Sequence, residues 1–256
     1  MDFQEKIRRK KGKGKITMLT AYDFQTAKIL DQTDIDLILV GDSSGMVVQG
    51  YSDTKSVTME AMIYHVKAVA KGAKSTPIIG DMPINSCNTV QDCLGNAMQF
   101  VEAGAHGVKI EGRKTDAIRT LTNRGIQVMG HVGMLPQMAE AYHVKGKNPE
   151  EAREILQDAK ELDKLGVFAI VLECIPESLA KAITETVEVP TIGIGAGKHC
   201  DGQVMVINDM LGYDENFKPK YVKTYANLNK TIKNAVTKFM EEVHAGTYPD
   251  EEHTYH

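Results

Sequence analysis

The stretch FAIVLECIPE, residues 168 to 177, decides how the chain folds. Phe168 to Leu172 is an unbroken apolar run of the length and composition that fills a parallel-sheet strand covered on both faces. The run then delivers Glu173 at its carboxyl end. One such carboxylate is most simply an exposed loop residue, so the neighbouring strands have to be compared.

Similar runs recur along the chain. ITMLTAY from residue 16, LILVGDS from 37, PIIGDMP from 77, GVKIEG from 107, QVMGHVG from 127, FAIVLEC from 168, VPTIGIGAG from 189 and GQVMVIND from 202 read as strands, with segments of helical period between them. This alternation predicts βαβ units and a parallel sheet. Eight strands close a barrel, so the expectation is an α/β protein, a (β/α)8 TIM barrel. Two helices carry clear end signals. Thr58 caps SVTMEAMIYHVKAVAKG, which Gly72 ends; Asn148 caps NPEEAREILQDAKELDKLG, with Pro149 in its first turn and Gly166 closing it. No Ser/Gly linker or repeat divides the chain, so residues 1–256 read as a single barrel domain with a C-terminal helical extension. In that extension Val222, Tyr225, Leu228, Ile232, Val236 and Met240 follow a helical spacing.

The 256 residues are 42% hydrophobic and 25% charged, a globular composition. Lys and Arg number 30 against 34 Asp and Glu, a formal net charge of -4 that offers no general attraction to nucleic-acid phosphates or anionic membranes. Neither is expected as a partner. No segment reaches the roughly 18 apolar residues of a membrane span, and no apolar leader follows the charged start, so a cytoplasmic protein is expected. The basic run from Lys6 to Lys15 reads as a solvated arm. Cys87, Cys93, Cys174 and Cys200 form no C-x-x-C pair and are expected as reduced thiols.

In a (β/α)8 barrel the site is assembled at the carboxyl ends of the strands. There the second strand ends in Gly41-Asp42-Ser43, the third in Gly80-Asp81, the fourth in Lys109-Ile110-Glu111, the fifth in Gly130-His131 and the sixth in Glu173. Several anionic groups aimed into one small mouth repel each other, which is tolerable only where a cation compensates or some are protonated. The pattern therefore predicts a metal. Its donors are carboxylate oxygens without H-x-x-x-H or C-x-x-C spacing, so Mg²⁺ is expected, held by Asp42, Asp81 and Glu111, with Glu173 left as an unligated general base. Lys109 shares a strand face with Glu111, which puts an ammonium beside the metal, and His131 is placed to hydrogen-bond substrate or a carboxylate. A divalent ion bound by a 2-oxo acid acidifies the neighbouring C–H, and Glu173 is the group to take that proton. GIGAGKH has neither the dinucleotide nor the P-loop spacing; its glycines permit close approach of a ligand or a tight turn, and the turn is the expected reading.

Taken together and in order, LILVGDSSGMVVQGYSDTKSVTMEAMIYHVKAVAKG, GVKIEG, GHVGMLPQ, VLECIP and PTIGIGAGKHCDGQVMVIND resemble the ketopantoate hydroxymethyltransferase family over nearly the whole chain. The resemblance implies a (β/α)8 barrel of the phosphoenolpyruvate/pyruvate type. It implies transfer of a hydroxymethyl group from 5,10-methylenetetrahydrofolate, a cosubstrate, to C3 of 3-methyl-2-oxobutanoate by Mg²⁺-assisted enolate formation, giving 2-dehydropantoate in pantothenate biosynthesis. It also implies one Mg²⁺ per subunit on Asp42, Asp81 and Glu111, and a homo-oligomer, a decamer in the family. Asp42, Ser43, Asp81, Lys109 and His131 are the expected substrate-binding set, and Glu173 matches the proton acceptor.

The chain departs from the family pattern at Ser44, where leucine is usual, and at Leu135, where threonine is usual. MAEAYHVKGK lacks the double glycine common before Y-x-V-x-G-K. Two rivals remain. One is a Mg²⁺-dependent carbon–carbon lyase on the same barrel, for which KHCDG is only a loose echo of the K-K-C-G-H-type loop. The other is a non-catalytic oxo-acid or metal-binding barrel, against which the intact Glu173 speaks.

Overall fold

The apolar runs form the strands expected of them. In the computed structural model, which describes residues 2–217 and 219–256, these are β1 (Ile16–Thr20), β2 (Leu37–Val40), β3 (Ile78–Asp81), β4 (Gly107–Glu111), β5 (Val128–Gly133), β6 (Ala169–Glu173), β7 (Thr191–Ile194) and β8 (Gly202–Met205). Each pairs in parallel with its sequence neighbours, and β1 pairs with β8, so the sheet closes into an eight-stranded barrel. Alternate residues such as Met18, Leu39, Ile79, Met129, Val171 and Ile192 join in one buried core inside the barrel. Residues between them, such as Ile38, Val108, Ile110, Ile170 and Leu172, are equally buried and face the helices, which is why the strands read as continuous apolar runs.

The barrel helices are α1 (Phe3–Arg8), α2 (Phe24–Leu30), α3 (Ser44–Val47), α4 (Met59–Gly72), α5 (Val90–Glu102), α6 (Thr115–Asn123), α7 (Pro149–Lys164) and α8 (Glu177–Thr186). The expected caps form: Thr58 accepts from the Ala61 N–H and Asn148 from the Glu151 N–H, at 3.2 and 2.8 Å. Gly80 lets α5 close on β3. A Cβ there would stand 2.2 Å from the Phe100 ring, so only glycine permits this packing one residue before Asp81.

Three expectations are corrected. The basic run is not a solvated arm but a plug under the barrel. Ile7 is buried in the barrel core, and the Phe3 ring meets Phe168 edge-on at 5.4 Å. Around that plug Lys10 pairs with Asp36, Lys11 donates to Asp201 at 2.9 Å, and Lys15 donates to the Cys200 carbonyl at 2.6 Å. Nor are all four cysteines reduced. The turn between β3 and α5 brings the Cys87 and Cys93 Cα atoms to 4.1 Å and the two are disulfide-bonded, while Cys174 and Cys200 are free and buried. Finally, Val222 and Tyr225 precede the C-terminal helix instead of lying on it, because Asn227 caps the chain at that point.

β7 passes to β8 without a helix. Gly195 and Gly197, at φ +66° and +79°, turn the chain back at once, and β8 begins level with Ile192, so little height has to be recovered. GIGAGKH is thus the tight turn it resembled.

Residues 207–256 form a second compact unit after the barrel unit. It contains α9 (Ile207–Leu211) and α10 (Leu228–Ala245), the latter ended by Gly246 at φ +69°. No residue of α10 is buried. Among the described residues, no helix is long and apolar enough to cross a membrane.

Candidate active site

Strand register gathers the ionisable groups. Asp81 pairs laterally with Lys109, Glu111 with His131, and Glu173 with Gly133, two residues beyond His131. Paired positions on neighbouring parallel strands face the same side, so these side chains share the barrel mouth. Asp42, Asp81, Lys109, Glu111, His131 and Glu173 are each at most 9% exposed.

Lys109 bridges two of the carboxylates. Its Nζ lies 2.8 Å from Asp81 Oδ1 and 3.8 Å from Glu111 Oε1. The Asp81 contact is close but oblique, an ion pair that leaves Oδ1 without a directed hydrogen bond; Oδ2 accepts from the Asp42 N–H at 3.2 Å. Burial, reinforced by the charge of Asp42, holds the Asp81 carboxyl well above the usual range despite Lys109. Burial raises Glu111 too. Burial alone would lower Lys109, but Asp81, Glu111 and Asp42 outweigh it and keep the ammonium charged.

The charge on Lys109 fixes the histidine. Lys109 Nζ is 3.3 Å from His131 Nδ1, and an ammonium only donates, so Nδ1 accepts and the ring proton sits on Nε2. Nε2 is 3.2 Å from Glu173 Oε2, within reach but poorly aligned for a hydrogen bond, as is common among acid–base groups before substrate arrives. Burial and the neighbouring ammonium push His131 down to about 3, so the ring is neutral. Burial pushes Glu173 up to about 8, with Lys109 opposing and Asp42 assisting.

The structure therefore brings together Asp42, Asp81, Lys109, Glu111, His131 and Glu173, and sets Ser43 beside them on the β2 loop. Ser43 Oγ shares a hydrogen bond with Tyr22 Oη at 2.8 Å. Three contributors escaped the sequence reading. Tyr22 closes the first strand run; Gln137 is a polar residue directly after Pro136 in the quoted GHVGMLPQ; Tyr142 reaches from the β5 loop toward Met46 Sδ of α3 at 3.9 Å. An amide or phenol at a strand end or loop of a barrel mouth is the signal that would have found them.

The donor set suits a hard divalent cation in kind and charge. Asp42, Asp81 and Glu111 offer carboxylate oxygens against one ammonium, and Asp81 Oδ1 is buried without a directed partner. As placed, no three His, Cys, Asp or Glu groups among the described residues stand close enough to hold an ion. Lys109 stands between Asp81 and Glu111.

The family model of ketopantoate hydroxymethyltransferase matches residues 2–251. The chain belongs to that family. It is an enzyme, a hydroxymethyltransferase by membership. The 3-methyl-2-oxobutanoate hydroxymethyltransferase of Clostridium acetobutylicum is 52% identical to it over 250 residues, 95% of this chain and 91% of the relative. Further relatives at 48% to 50% identity carry the same name. Among solved structures, phosphonopyruvate hydrolase in complex with oxalate and Mg²⁺ superposes with a TM-score of 0.65 at 15% identity, covering 99% of this chain and 93% of that one. A 2,3-dimethylmalate lyase of the PEP mutase/isocitrate lyase superfamily gives 0.60 at 15% identity, covering 99% and 92%. At that identity the likeness shows the fold, a closed eight-stranded α/β barrel.

Proposed function

We propose that this enzyme transfers a hydroxymethyl group from 5,10-methylenetetrahydrofolate to C3 of 3-methyl-2-oxobutanoate, giving 2-dehydropantoate in pantothenate biosynthesis, with Glu173 as the base. The observation that carries this is the set of six buried ionisable side chains from five successive strand ends in one mouth, in a chain of this family. Asp42, Asp81 and Glu111 would hold one Mg²⁺, which would offset their charge and supply Lewis acidity toward a keto oxygen.

The chain's own groups do the rest. The Ser43 hydroxyl and the Lys109 ammonium bind oxygens of the oxo acid, with Asp42, Asp81 and His131 completing the substrate-binding set. Glu173 removes the C3 proton, that carbon forms the new bond to the folate methylene carbon, both C–N bonds of that methylene break so that tetrahydrofolate leaves, and one water supplies the oxygen of the new hydroxyl. A carboxyl titrating near 8 is matched to proton transfer close to neutral pH. The His131 Nε2–H faces Glu173 and steadies its anion. A cytoplasmic setting and a homo-oligomer belong to the same proposal; the exposed apolar face of α10 favours the oligomer.

The deciding experiment follows 3-methyl-2-oxobutanoate and methylenetetrahydrofolate by proton NMR with purified protein, once with Mg²⁺ and once with a chelator. 2-Dehydropantoate is expected only with the metal. No product under conditions where a family member works would reject the activity.

A further inference from the structure

We infer that Gln137 is a positioning residue of this site: its side-chain amide sets the direction of Asp42, beside the Glu111 carboxylate that its backbone N–H holds. The inference rests on the proposed carboxylate metal site. Gln137 lies four residues beyond β5 and is 8% exposed. The loop is pinned on both sides of it: the Met134 N–H donates to the Glu173 carbonyl at 2.9 Å, and the N–H groups of Met138 and Ala139 both donate to the Leu135 carbonyl at 3.0 Å.

From that fixed turn Gln137 reaches groups on three strand ends. Its Nε2 donates to Asp42 Oδ2 and to the Met82 carbonyl, each at 2.9 Å, and its backbone N–H donates to Glu111 Oε2 at 3.1 Å. Both protons of the amide are used. One oxygen of each carboxylate is thereby tied, leaving Asp42 Oδ1 and Glu111 Oε1 for the mouth; Oε1 is the oxygen facing Lys109. Holding one oxygen of a carboxylate so that the other can ligate is how outer partners orient metal ligands. A neutral amide does this without neutralising the anions, as a lysine would. Because Gln137 belongs to the β5 loop, the placement of that loop and the direction of the two carboxylates are set by one residue.

The test compares wild type with Gln137→Met, similar in length but without donors, using Mn²⁺ as the probe and the electron paramagnetic resonance of free Mn²⁺ as the readout. Thermal melting in chelator and steady-state kinetics accompany it. The expected result is Mn²⁺ affinity weaker by roughly 10- to 100-fold, with a comparable fall in kcat, while the melting temperature of the metal-free variant stays within a few degrees of wild type. A purely structural glutamine would move melting and leave Mn²⁺ affinity alone. Should Gln137→Met not fold, Gln137→Asn keeps an amide but draws it back by one carbon from Asp42 and takes the same test with the same expectation. Wild-type Mn²⁺ affinity in the folded variant overturns the role of Gln137. Absence of Mn²⁺ binding by wild type overturns the carboxylate metal site, and the inference with it.

Discussion

Glu173 shows how burial makes a reactive group and costs stability at once. In the metal-free protein it titrates near 8, against 4.5 for an ordinary glutamate, so the folded state keeps a proton that the unfolded state loses across that window. A raised carboxyl of this kind subtracts stability as pH climbs from 4.5 to 8. Glutamine has no such proton to lose. In chelator, Glu173→Gln should therefore gain on wild type between pH 5 and pH 9 by on the order of a few kcal/mol, read from denaturant melts at the two pH values. The same variant should abolish deuterium exchange at C3 of 3-methyl-2-oxobutanoate in D₂O while still binding it; an unchanged exchange rate would remove Glu173 from the base role. These residues were legible in the sequence because each breaks an apolar run at its carboxyl end. Gln137 was not, because its place comes from the turn around Leu135 and no periodicity marks it.

At the scale of elements, the barrel is built where small residues let larger ones in. Gly80 admits Phe100, so Gly80→Ala should lower stability by about 1 to 3 kcal/mol through overpacking of α5 on β3, and Phe100→Leu in the same chain should restore part of it. Lack of rescue would mean that the strain lies elsewhere. α1 is the converse case, a helix whose one buried residue fills the barrel floor. Ile7→Ala should cost about 2 to 4 kcal/mol in a melt yet leave kcat of the folded enzyme unchanged, since the mouth lies at the opposite strand ends. The strands were readable because both their faces are covered. The plug was not, because a short helix among lysines carries little apolar pattern: among the described residues it puts Ile7 into the core cluster and packs Phe3 against it. The Cys87–Cys93 pair escaped for a related reason, since it depends on a turn between elements and on neither of their patterns.

For the whole molecule, the open matter is what covers α10. Ile232, Val236, Phe239, Met240 and Val243 recur at helical spacing and are 43% to 54% exposed on an 18-residue helix with no buried residue. Most helices in proteins draw their stability from packing an apolar face, and an exposed stripe of this length marks an association surface. A second copy of the chain would cover it under the proposed homo-oligomer. Placing carboxylates in the stripe tests it: Ile232→Asp with Val236→Asp should shift the mass measured by light scattering toward the single chain, because an unpaired buried charge is incompatible with an apolar interface. Neither residue belongs to the barrel core, so the far-ultraviolet circular dichroism of the barrel should persist. If wild type is already a single chain at micromolar concentration, or if the doubly substituted protein keeps the wild-type mass, α10 is not where copies meet.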